Sequence, residues 1–118
     1  MDVKEFIRGY YRSLLDPEEV KNFVHPHLTI QWYSTRGYIE LDADEIIKFA
    51  SQLSKTYLSL RLEISHIVAE SNKVSVRYAN HVTTAENPFE EKVLSHSIAI
   101  WELKDGLLYR GYVMSHAD

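Results

Sequence analysis

The spacing of apolar side chains changes character near the middle of the chain. In residues 2–15, Val3, Phe6, Ile7, Tyr10 and Leu14 recur at intervals of one, three and four, which gathers them on one face of a helix. Asp16-Pro17-Glu18-Glu19 then predicts a second helix. Asp16 serves as N-cap, Pro17 suits the first helical position, and Glu19 completes a capping-box-like pattern. That helix is expected to run to about Val24, where His25-Pro26 stops it. The stretch LTIQWYS, residues 28–34, alternates and is rich in β-formers, so it reads as a strand. Asp42-Ala43-Asp44-Glu45 repeats the capping logic, and Ile46, Phe49, Ala50, Leu53 and Tyr57 form the stripe of a third helix behind it.

From residue 60 the period becomes two. Leu60, Leu62, Ile64, His66 and Val68 alternate with polar residues, and so do Val74, Val76, Tyr78, Asn80 and Val82. Placing both sets on one face requires an odd number of residues in the turn, which predicts a three-residue loop with Asn72 left-handed. A longer loop, AENPFEE, leads to a strand over residues 92–104. Asp105-Gly106 is a strong two-residue hairpin signal. Uninterrupted pairing from Lys104 opposite Leu107 then sets Trp101 against Arg110, Ala99 against Tyr112, Ser97 against Met114 and Ser95 against His116. The opposite face carries Ile98, Ile100, Tyr109 and Val113. Both faces are substantially apolar, so one is expected to meet the helices and the other a second subunit or another covering layer.

A chain of 118 residues predicts one domain over residues 1–118, large enough for one real core. No window approaches the ~20 consecutive apolar residues of a membrane helix. The N-terminal MDVKEFIRGYY has acidic residues and no apolar h-region, so no secretory signal is expected. Cysteine is absent, which excludes disulfides and thiolate chemistry. Together these lead to an expectation of a cytoplasmic protein. The net charge of −4, with scattered Lys and Arg, argues against a nucleic-acid partner.

The order of helix, short helix, strand, capped helix and long antiparallel strands, with VHPHLTIQWYS, LDADEIIKFASQL, IVAESNKVSVRYANHVTT and IAIWELKDGLLYRGY in sequence, resembles the nuclear transport factor 2-like superfamily and its SnoaL-like branch. The resemblance covers nearly the whole chain. It implies an α+β, cystatin-like cone: three N-terminal helices packed on a strongly curved, mainly antiparallel sheet, with a cavity between. It also implies a homodimer through the outer sheet face. The superfamily holds isomerases, dehydratases, cyclases, epoxide hydrolases and non-catalytic binders, so function must come from the site. Its enzymes typically place a carboxylate in the cavity. SnoaL-like cyclases usually carry acids on the last strand after a Trp. Here Tyr112 occupies the Trp position, Val113 and His116 fall where acids often lie, and no Asp or Glu appears between Gly106 and Ala117.

With no strand carboxylate in phase, imidazoles become the candidate bases, since they exchange protons near neutral pH. His116 shares its expected face with Tyr112, Arg110 and Trp101. His66 lies in phase with Leu60, Leu62 and Ile64, across the hairpin from Tyr78 and Asn80. Trp32, Tyr78, Trp101, Tyr112 and Met114 are expected to line an apolar pocket, Asn80 to hold a ligand oxygen, and Arg110 to meet an anionic group. His25-Pro26-His27 invites a metal reading, but the proline interrupts the strand and no acidic ligand is in phase, so neither metal nor cofactor is expected. Phe89, in the AENPFEE loop, is a candidate lid residue. The expectation is a protein that binds a small apolar or weakly acidic organic ligand, with cofactor-free isomerisation, dehydration or cyclisation as its chemistry. The alternative is a non-catalytic interaction module whose cavity is merely filled.

Overall fold

The computed structural model describes residues 2–118. Helix α1 (Val3–Arg12) is capped by Asp2, whose carboxylate accepts the Glu5 N–H at 3.2 Å, and it buries Ile7, Tyr10 and Tyr11. Asp16 caps α2 (Pro17–Val20) through the N–H groups of Glu18 and Glu19, at 3.0 and 3.3 Å. This helix is a single turn, so two long helices and not three pack the sheet. It stops early because the Phe23 carbonyl is taken by the Leu108 N–H at 2.9 Å, which draws the chain into strand β1 (Val24–Ser34). The strand therefore begins before Pro26, and its pairing slips between Val24 and Thr29 around a residue that cannot donate a ladder hydrogen bond. Strand β2 (Gly37–Asp42) was not anticipated, because its edge position leaves even Tyr38 and Ile39 exposed and blurs the alternation. Helix α3 (Ala43–Thr56) carries the full capping box, Glu45 N–H to Asp42 at 2.9 Å and Asp42 N–H to Glu45 at 3.1 Å.

Four long strands follow: β3 (Ser59–Glu70), β4 (Lys73–Thr83), β5 (Lys92–Lys104) and β6 (Leu107–Ala117). The six strands form one mixed sheet in the order β2-β1-β6-β5-β4-β3, antiparallel except where β1 runs parallel to β6. Helix α1 lies over β3 and β4, and α3 over β1 and β2, on the same side of the sheet. Between sheet and helices sits the core, with Ile7, Leu28, Val74, Val76, Trp101 and Leu108 fully buried. Among the described residues no helix is long and apolar enough to cross a membrane.

Bulges decide which side chains enter that core. The β3–β4 turn has two residues, Ser71 and Asn72, with Ser71 and not Asn72 left-handed (φ 56°). The extra residue demanded by parity is in the strand, between Ile64 and His66, so Leu60, Leu62 and Ile64 stay inward while His66 turns out. The Asp105-Gly106 turn is as expected, both residues having positive φ. Beyond Leu103 opposite Leu108, however, Tyr109 is left over, and Glu102 pairs with Arg110, Trp101 with Gly111, Ala99 with Val113 and Ser97 with Ser115. This single slip reverses the expected face of every later β6 residue.

Candidate functional site

The helices do not fill the whole of the sheet side that they cover. A hollow of about 140 Å³ remains between α1, α3 and the inner faces of β1, β4, β5 and β6. Trp32 and Phe49 meet edge-on at its wall, with centroids 5.5 Å apart, and the Trp32 indole N–H donates to Ser115 Oγ at 2.7 Å. At the opposite wall, Trp101 packs edge-on against Tyr10 and donates its indole N–H to the Tyr11 hydroxyl at 2.9 Å. The Tyr11 ring in turn lies 4.7 Å from that of Tyr78. Asn80, one inward position further along β4, donates its amide to Ser95 Oγ at 2.8 Å.

Burial pushes the phenols of Tyr10, Tyr11 and Tyr78 above their ordinary range, although the neighbouring hydroxyls of Tyr11 and Ser97 oppose the shift at Tyr78. All three therefore stay neutral near pH 7 and offer hydroxyl hydrogens, not basic oxygens. Among the described residues no carboxylate and no imidazole lines the hollow.

Trp32, Tyr78, Asn80 and Trp101 thus stand together on the hollow, while the other candidates do not. Tyr112 and Met114 lie on the outer face at 37% and 60% exposure, beside Ile98 and Ile100, because of the bulge at Tyr109. His116 is exposed opposite His96 for the same reason. His66, turned out by the β3 bulge, rests against Ser65 Oγ at 3.0 Å. Arg110 faces Glu102 across the strands, stacks on the Tyr109 ring at 3.8 Å and donates to the His27 carbonyl at 2.9 Å. Its guanidinium is engaged by the protein itself. In the His25-Pro26-His27 kink, His25 Nδ1 accepts the His27 N–H at 3.0 Å, and Phe89 is fully exposed. Tyr10, Tyr11, Ser95 and Ser97 join the hollow unanticipated. Tyr11 follows Ile7 by four residues, and Ser95 and Ser97 share the inward parity of Trp101, which is the signal that marks them.

Solved structures share this fold. IdmH from Streptomyces antibioticus, a candidate polyketide cyclase, superposes with a TM-score of 0.77 at 15% identity over 98% of this chain and 92% of that one. A candidate SnoaL-like polyketide cyclase from Shewanella denitrificans gives 0.73 at 12% identity over 96% and 89%. An NTF2-like protein of unknown function from Burkholderia pseudomallei gives 0.68 at 16% identity over 100% and 92%. The fold is nuclear transport factor 2-like. No protein-family model and no curated protein matches the sequence. At 12–16% identity the likeness to those structures is one of backbone.

Proposed function

We propose that this protein binds a small, mostly apolar molecule of about one ring in its hollow, and that a ligand oxygen is held by Tyr78 and Asn80. The observation that carries this reading is the lining itself: an apolar enclosure with a few polar groups gathered on β4 and β5. A space of roughly 150 Å³ takes one benzene-sized ring, and the volume here is about 140 Å³. Apolar contact supplies the affinity. The raised phenol of Tyr78 supplies a neutral donor, and Asn80, with one amide hydrogen spent on Ser95, retains its carbonyl and its second hydrogen for the ligand.

Two relatives described as candidate polyketide cyclases favour a catalytic version of the same site. Neutral tyrosines can polarise a carbonyl in such a reaction, but proton abstraction needs a base, and the lining offers none. Binding without proton transfer is therefore the reading the geometry supports better.

Titration with single-ring ketones and phenols, followed by the fluorescence of Trp32 and Trp101, tests binding. We expect saturable quenching and a matching rise in Tm, both lost in Val113→Phe, which fills the hollow. Absence of both signals in the wild-type protein removes the proposal. Deuterium exchange α to the carbonyl of a bound ketone tests catalysis, and exchange above the buffer rate would restore the isomerase or cyclase reading.

A further inference from the structure

We infer that the ligand of the hollow carries a carboxylate tail, received by Arg8 and Arg12. This rests on the ligand-binding reading above and adds the chemical class of the ligand. A cleft of about 510 Å³ lies between α1 and the edge strand β3, with Arg8 and Arg12 on one wall and Leu60, Leu62 and Ile64 on the other. Tyr11 and Leu60 line both this cleft and the hollow, so the two spaces adjoin at that pair. A molecule with its ring in the hollow and a short aliphatic arm passing between Tyr11 and Leu60 places the end of that arm against the arginines.

The local charge suits an anion there. Among the described residues Arg8 and Arg12 share a single protein carboxylate, Glu5, at 3.5 and 2.8 Å. Two guanidiniums against one carboxylate leave an excess positive charge, and most of their ten N–H donors remain unspent. Arg61, also on this cleft, adds nothing to the surplus, because Glu91 holds it bidentately at 2.7 and 3.1 Å. The chain as a whole carries −4, so the cationic wall is local and not part of a generally basic surface. The leucines and Ile64 offer the aliphatic arm an apolar floor. The occupant this selects is an aryl- or cycloalkyl-alkanoic acid.

The test compares 4-phenylbutyrate with 4-phenylbutan-1-ol by isothermal titration calorimetry. We expect the acid to bind on the order of tenfold more tightly at low salt, a difference typical of charge-assisted hydrogen bonds at a partly exposed site. High salt shrinks the ratio by screening. Arg8→Gln/Arg12→Gln brings it to about one, and Glu5→Gln, which frees both guanidiniums, widens it. Thermal melts establish that each variant is folded, and the wild-type salt dependence reports independently of any substitution. Equal wild-type affinity for acid and alcohol overturns the carboxylate assignment and leaves the hollow's reading standing. Failure of both probes to bind overturns the two together.

Discussion

A Cβ placed on Gly111 would lie 2.5 Å from Cζ3 of Trp101, inside any tolerable contact, and the indole cannot retreat because its N–H is committed to Tyr11. Gly111→Ala is therefore expected to cost about 2–4 kcal/mol of stability, an overpacked core position with a fixed neighbour. Urea unfolding measures it, and a loss below about 0.5 kcal/mol would mean that the Trp101 wall is softer than its contacts indicate. The buried tyrosines make a second residue-level prediction. In the unfolded chain phenols titrate near pH 10. In the native state burial keeps Tyr10 and Tyr11 protonated well past that point. Their stabilising contribution is complete below pH 10. Above it the unfolded state sheds protons that the native state retains, so stability falls by up to about 1.4 kcal/mol per phenol for each further pH unit. Urea midpoints collected from pH 8 to 11 should show this decline, and Tyr10→Phe should reduce its slope by one proton. An identical slope in that variant would exclude Tyr10 as a source.

The capped helix starts and the Asp105-Gly106 turn are readable in this chain because their signals are local, whereas strand faces and the β3–β4 turn are less so because they depend on bulges. Asp42 and Glu45 stand three residues apart before an apolar stripe, and the capping box they imply is present at 2.9 and 3.1 Å. Asp42→Ala should consequently cost about 1 kcal/mol, read as a lower Tm with unchanged native spectra. A neutral outcome would show that α3 is held by packing alone. Asp105-Gly106 likewise announces its turn. Parity along β3 and β6, in contrast, depends on one residue each near Ser65 and Tyr109, and neither position carries a glycine or proline to mark it. Their bulges are justified only by distant partners. Trp101 needs a residue without a side chain opposite it, and the slip at Tyr109 delivers Gly111 there. Trp32, Tyr78, Asn80 and Trp101 stand on the hollow side of the sheet. His66, past the β3 bulge, and Arg110, Tyr112, Met114 and His116, past the β6 bulge, stand on the other side from the one their alternation indicates. Tyr11, one position off the α1 stripe as drawn, shows the width of a real helical face: it sits four residues after Ile7 and is nearly as buried.

At the scale of the molecule, the same slip that clears the hollow loads the outer face of the sheet. Ile98, Ile100 and Met114 are 51%, 47% and 60% exposed, and with Tyr33 and Tyr112 they surround a shallow groove of about 340 Å³. An apolar patch this continuous is unusual on a monomer. A two-fold contact between copies would bring each patch onto its counterpart, with Gln31 and Ser75 as polar groups among the apolar ones. We expect a homodimer, and Ile100→Asp separates this from a bare monomeric sheet. In a dimer the new carboxylate would be buried without a partner, a penalty of several kcal/mol that drives dissociation. In a monomer a residue already half exposed would tolerate it within about 0.5 kcal/mol. Sedimentation equilibrium at micromolar concentrations should therefore find a dimer for the wild-type chain and a folded monomer for the variant, with a wild-type Tm that rises with concentration. A wild-type chain that sediments as a monomer throughout that range would show that the patch is not covered by a second copy. Because the patch and the hollow lie on opposite faces of β5 and β6, Ile100→Asp should also leave binding of a single-ring ligand intact, which makes assembly and ligand recognition separable in one experiment.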